Sequence, residues 1–174
     1  MPAPSGSSLI DWVDAADEPI AQVRRSEVFE RRAGFRVAHV FVFNPQDELL
    51  LQQLGSHRER NSLRWGSSVA AYLFSGESYL EAAQRRMKDE IGLSAKLVKF
   101  GSTAMLDQGA RKFITLYVSA TSSVEIGDTG HIESLRFVRI PEIQAWLQRA
   151  PDDFTETFRF LFRFYLSTLS LMNA

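Results

Sequence analysis

Cysteine is absent from the 174 residues. That excludes disulfides, thiolate catalysis and zinc centres built on thiolates. Long apolar runs are missing too, and none approaches the roughly 20 residues that a membrane-spanning helix needs. Neither sign of charge dominates: 20 Lys and Arg against 21 Asp and Glu leave a formal net charge of -1. Such a balance gives no global case for a nucleic-acid partner or an anionic membrane. The opening Met1 to Ser8 has no basic segment followed by an apolar one, so it is no secretory signal. It reads as a flexible tail, 1–8, and the default location is cytoplasmic. The chain as a whole is 45% apolar and 24% charged. That is ordinary globular composition, long enough to bury a core without staples.

The chain is strand-rich with three helices, which predicts one mixed α/β domain over 9–174. Leu9 to Val13 and Ile20 to Val23 read as a hairpin. Arg24 to Arg32, with Arg36 just beyond, is either a solvated face or an anion-facing patch. Phe35 to Phe43 is the strongest strand, rich in Val and Phe, and Glu48 to Gln53 pairs back on it. Trp65 to Tyr72 is extended. Strands follow at Leu97 to Leu106, Lys112 to Ala120 and Ile132 to Ile140. Asp107 to Ala110 is a hairpin loop and Thr121 to Gly130 a polar one. Pro141 opens a short helix, Glu142 to Leu147. Pro151 starts a last helix to about Met172. Its apolar face, from Phe154 to Leu169, leaves Phe160 and Phe164 off the stripe, which predicts a homodimer.

The most informative helix begins at Ser78. Ser78 and Glu81 form a capping box, and Gly92 is the stop. Leu80, Ala83, Met87 and Ile91 lie on one stripe and are expected in the core. Arg86, Asp89 and Glu90 share another face, at i, i+3 and i+4, which is expected at the helix surface. Glu77 sits in the entry loop. Three carboxylates so placed suit a hard cation such as Mg²⁺, which neutralises a diphosphate and activates water. On spacing alone, the alternative is a solvated face with Arg86 paired to the two acids.

The stretch from Ala71 to Leu93 resembles the signature of the Nudix superfamily, G-x5-E-x7-R-E-U-x-E-E-x-G-U, with U aliphatic. Glu77, Arg85, Met87, Glu90, Gly92 and Leu93 match in register, and Asp89 is a conservative replacement. Ala71 stands in place of the first Gly, and Arg86 in place of a metal-binding, often catalytic Glu. The likeness extends from about Leu9 to Leu166, through Trp65, Ser68, Val69 and Asp153-Phe154-Thr155. It is similar to the branch that includes isopentenyl-diphosphate isomerase. The isomerase's nucleophilic Cys is matched by Ala70, its metal histidines by Phe35 and Tyr72, and its acid-base carboxylate pair has no clear match near Asp107. The resemblance therefore implies a Nudix fold, a mixed sheet between helices, without isomerase chemistry.

What it implies instead is a pyrophosphohydrolase cleaving a nucleoside diphosphate derivative with Mg²⁺ or Mn²⁺. Glu90, Asp89 and Glu77 would be its metal ligands and catalytic acids. Arg85 matches the arginine that orients them. Arg86, pointing outward, would grip a substrate phosphate, with Arg85 and Arg36 assisting. His131 and Glu133 are possible additional site residues. His39 is expected to be packed or hydrogen-bonded, His57 solvent-exposed, and Trp65 packed. Two rivals stand beside the hydrolase. One is a catalytically weak domain that binds a nucleotide or diphosphate, favoured by Arg86. The other is an interaction module built on the scaffold. Selectivity would lie in the loops Gly55 to Arg64, Asp107 to Arg111 and Thr121 to Gly130.

Overall fold

The computed structural model describes residues 8–174; the predicted tail lies outside them except for Ser8. Strands β1 (Leu9–Val13) and β2 (Pro19–Arg24) form a two-stranded antiparallel ribbon. The main sheet is built on β3 (Phe35–Phe43), which pairs in parallel with β8 (Ala110–Ala120). On its other side β3 meets β6 (Val69–Tyr72), and at Phe43 also β4 (Glu48–Leu54). The short β5 (Trp65–Gly66) and β9 (Ile132–Arg139) pair with β4, and β7 (Val98–Asp107) pairs with β8. Ser67 and Ser68 break the expected run from Trp65 to Tyr72. The Ser68 hydroxyl donates to Leu50 O at 2.6 Å and accepts from Val42 N at 2.9 Å, tying the break to both neighbours.

The near-continuous apolar run of β3 follows from burial on both faces. Phe35, Val37 and Phe41 point into one core with Phe154, Phe158 and Phe162. Ala38, Val40 and Val42 point into a second core with Ala83, Met87 and Ile91. Helix α1 (Tyr79–Ile91) covers that second face; α2 (Ile140–Arg149) and α3 (Glu156–Met172) belong to the first. Each fully buried Leu, Phe or Met contributes roughly 1.5–3 kcal/mol of transfer free energy. The β7–β8 hairpin closes on Gln108 and Gly109, both at positive φ (50° and 83°), the geometry of a type I′ turn.

Three expectations change. Leu80 is 40% exposed. The buried face of α1 instead runs through Ala82, Ala83, Arg86, Met87, Glu90 and Ile91, because the chain also closes over the Arg86–Glu90 side. Pro151–Asp153 is a separate 3-10 turn, and α3 starts afresh after Thr155, whose hydroxyl accepts from Phe158 N. The aromatics expected to be left bare are partly covered by the chain itself. Phe160 and Phe164 are half-buried against the core, and Phe164 sits on Gly101, where a Cβ would lie 3.1 Å from its ring. Among the described residues, no helix is long and apolar enough to cross a membrane.

Candidate diphosphate site

Helix α1 is set at both ends by local chemistry. The Ser78 hydroxyl accepts from Glu81 N at 3.1 Å, and Ser78 N donates to the Glu81 carboxylate at 3.2 Å. Gly92 adopts the left-handed conformation (φ 64°) and its N–H reaches Lys88 O, as a C-terminal glycine does. Between these ends stand two consecutive arginines with different surroundings. Arg85 Nε and Nη2 donate to Glu77 at 2.8 and 3.0 Å, and Nη2 also reaches Tyr72 O at 3.1 Å. Glu77 further accepts from Phe74 N at 2.9 Å. Arg85 and Glu77 therefore form a brace between the helix and its entry loop.

Arg86 turns inward. Its Nη2 lies 3.2 Å from Glu90 Oε2 and 3.7 Å from Asp128 Oδ2. The face expected at the surface is covered: Glu90 is 1% exposed and Arg86 2%. The cover is the 121–131 loop. Gly127 N donates to Glu90 O at 2.7 Å, and a Cβ at Gly127 would lie 2.5 Å from Asp89 O. Only glycine permits that approach. His131 Nε2 stands 3.6 Å from Glu90 Oε2, and Arg58 packs on the His131 ring, 3.1 Å from Nδ1. Burial pushes the Glu90 carboxyl up to about 7 against the opposing charge of Arg86. Burial, with Arg58 and Arg86 beside it, holds His131 down at about 3. His131 is thus neutral at physiological pH and accepts from Arg58, which has no acceptor of its own.

This arrangement does not fit the expected Mg²⁺ or Mn²⁺. Glu77 is committed to Arg85, and the Arg86 guanidinium stands where a cation on Glu90 would be. Among the described residues no three His, Asp or Glu side chains converge on a metal-sized point. Asp89 is half-buried on the same helix. Arg86 was expected to point outward; it folds back on Glu90 because Asp128 and the loop that carries it close that side.

Arg86 nevertheless lines a cleft of about 470 Å³. Val37, His39, Ala70 and Tyr72 line it from β3 and β6, and Arg25, Ser26 and Phe29 from the segment after β2. Its side chains include the cations Arg25, Arg58, Arg60, Arg86 and Lys112, against one carboxylate, Glu59. Phe35 and Tyr72, the positions matched to the isomerase's metal histidines, stack at 5.4 Å. The Arg25 guanidinium covers the Tyr72 ring at 4.4 Å, and Lys112 Nζ lies 5.7 Å from that of Phe35.

The other candidates are placed elsewhere. Arg36 is not among the cleft residues; its Nε donates to Asp17 at 2.7 Å and its guanidinium faces Tyr79. Glu133 and His57 are exposed. His39 is buried, with Nδ1 2.8 Å from Ser67 Oγ, and burial holds it at about 3. Trp65 packs against Trp146. Asp128, Arg58, Arg60 and Lys112 were not singled out from the sequence. A lone Lys opening an apolar strand, and two arginines in a substrate-facing loop, were the available signals.

A family model described as the NUDIX domain matches residues 34–158. An isopentenyl-diphosphate Delta-isomerase of Pectobacterium atrosepticum is 26% identical over 155 residues, covering 86% of this chain and 87% of that one. An uncharacterised Nudix hydrolase of Pseudomonas aeruginosa is 26% identical over 142 residues, covering 81% and 83%. The crystal structure of a Deinococcus radiodurans protein superposes with a TM-score of 0.72 at 19% identity, covering 81% of this chain and 89% of that one.

Proposed function

From the premise that this chain belongs to the Nudix family, we propose that its cleft binds a small molecule carrying a diphosphate and holds it by the protein's own cations. On this reading it hydrolyses the molecule slowly or not at all. The observation that carries it is Arg86, which occupies the buried side of Glu90 inside a cleft lined by four further cations. Arg86 and Arg58 take the phosphate oxygens; each charge-assisted hydrogen bond contributes roughly 1.5–3 kcal/mol. Glu90 and Asp128 orient Arg86, and neutral His131 orients Arg58. Arg25, held over Tyr72, adds charge at the wall.

The second reading is Mg²⁺- or Mn²⁺-dependent hydrolysis of a nucleoside diphosphate derivative, with Glu90, Asp89 and Glu77 as the acids. The placement of Asp89 next to Glu90 on the signature helix favours it. It needs Arg86 to leave Glu90.

Calorimetric titration with inorganic pyrophosphate, in EDTA and then in Mg²⁺ or Mn²⁺, separates the two when paired with a product assay over nucleoside diphosphate derivatives. We expect binding in EDTA. In Arg86→Glu that binding should weaken by ten-fold or more, while Mn²⁺ should raise the variant's melting temperature. Binding that requires the metal, with turnover of roughly 1 per second or faster, would establish the second reading instead.

A further inference from the structure

Cations gather a second time across β3 from the Arg86–Glu90 pair: β8 runs along one side of β3, and β6, which leads into α1, along the other. Lys112 is the third residue of β8 and is 7% exposed. Its Nζ donates to Thr157 Oγ1 at 2.7 Å and pairs with Asp107 Oδ2 at 2.7 Å. Arg60, from the 55–64 loop, reaches the other oxygen of the same carboxylate and covers the ring of Phe29 at 4.9 Å. One buried acid thus faces two cations. Glu156, which also acts on Lys112, is exposed and is not among the cleft residues, and Glu59 is the one carboxylate there. Arg60, Lys112 and Thr157 all line the cleft, so positive charge that Asp107 does not match is presented to whatever fills it.

An apolar tail lying here would strip water from two cations and return nothing, a costly arrangement. A phosphate would restore the balance. Arg60 offers a planar fork, Lys112 a point charge and Thr157 a hydroxyl whose oxygen is already accepting and whose hydrogen is free to donate. Thr155 and Thr157 bring the N-terminal end of α3 to the same place, and its dipole has the same sign.

We infer that the cleft has two anion subsites, and that its ligand carries a phosphate at the Arg60–Lys112 subsite, separate from the diphosphate at Arg58 and Arg86. This rests on the diphosphate reading above and narrows it. The ligand is a polar molecule with phosphate groups at both ends, rather than a diphosphate on a hydrocarbon.

Three probes test this by calorimetry in EDTA: inorganic pyrophosphate, isopentenyl diphosphate with its apolar tail, and 5-phosphoribosyl 1-diphosphate with its second phosphate. The phosphoribosyl compound should bind at least ten-fold tighter than the isopentenyl one. Arg60→Gln and Lys112→Met should each remove most of that advantage, read as the ratio of the two affinities within each variant. Lys112 is buried, and its loss leaves Asp107 with Arg60 alone. Arg60→Gln keeps the Asp107–Lys112 pair and so serves if the lysine variant fails to fold. Pyrophosphate binding with no preference for the second phosphate, or a preference untouched by Arg60→Gln, overturns the second subsite and leaves the diphosphate reading intact. Failure of all three probes to bind overturns both.

Discussion

Arg85 and Arg86 are neighbours on one helix, each paired with a glutamate, yet the pairs are built differently. Arg85 meets Glu77 through two hydrogen bonds, and the carboxylate gains a third from Phe74 N. Arg86 meets Glu90 through one contact at 3.2 Å, deeper in the protein, with Asp128 at 3.7 Å. Nη1 of each arginine is buried without a hydrogen-bond partner, but only Arg86 lines the cleft. A pair with two hydrogen bonds away from the cleft holds a loop in place. A one-contact pair beside the cleft keeps donor capacity for a ligand, since burying a guanidinium with a bare nitrogen is otherwise unfavourable. The signature helix thus contains one finished brace and one pair still open to an anion.

The largest effect expected from this contrast is on stability. Arg85→Met removes the guanidinium that lies over Phe74 and leaves Glu77 mostly buried without its cation. Breaking such a pair by removing one partner costs about 3 kcal/mol. Arg86→Met should cost distinctly less below pH 6, because Glu90, already pushed up to about 7, takes up a proton instead. Urea unfolding of both variants at pH 5.5 and pH 8 measures the difference. Equal losses at both pH values would mean that the two pairs are energetically alike.

A smaller effect follows from the same carboxyl. Glu90 is raised from an ordinary 4.5 to about 7. The folded state therefore holds its proton more tightly across that window, and stability falls as pH rises through it. His39 and His131 are lowered from 6.5 to about 3. There the unfolded chain binds the extra protons, and stability rises with pH up to about 6.5. Where the windows overlap, two histidines outweigh one glutamate; above 6.5 the remaining gain from the histidines nearly cancels the loss from Glu90. Stability should therefore rise to about pH 7 and stay level beyond it. Thermal unfolding from pH 5 to 8.5 checks this, and in Glu90→Gln the level part should become a further rise of roughly half to one kcal/mol. A level part that persists unchanged in the variant would assign the opposing loss to another group.

What could be read from the sequence was what local rules decide. The bounds of β3, Phe35–Phe43, followed from a Val- and Phe-rich run. The two ends of α1 followed from Ser78, Glu81 and Gly92. The helix period put Arg86, Asp89 and Glu90 on one face. It did not say what lies over that face, because Gly127 and Asp128 come from a loop some forty residues on, which adds no period to α1. The Lys112–Asp107 contact was hidden for a similar reason. In the hairpin register Lys112 stands opposite Met105, and Asp107 opposite Ala110, so the pair crosses the ladder diagonally. Helical spacing also misplaced Leu80. A stripe drawn through residues 80, 83, 87 and 91 follows one edge of the buried face, which also takes in Ala82, Arg86 and Glu90.

That misplacement supplies the smallest expected effect. Leu80 is 40% exposed in the first turn of α1, whereas Met87, on the same drawn stripe, is 1% exposed. A surface substitution away from caps and ion pairs stays within about 0.5 kcal/mol. Leu80→Gln, which keeps a strong helix former, should therefore leave the urea midpoint close to that of the parent. Met87→Ala, measured alongside it, opens a cavity among Ala83, Ile91 and the β3 side chains of the second core. It should shift the midpoint several times further. The same two substitutions bear on the open pair, because Met87 follows Arg86 directly and fixes the rotation of the helix on the sheet. If the α1 face carrying Glu90 is held by that core and not by Leu80, pyrophosphate affinity in EDTA stays unchanged in Leu80→Gln and drops in Met87→Ala. A loss of affinity in Leu80→Gln would mean that Leu80, exposed as it is, takes part in positioning Arg86.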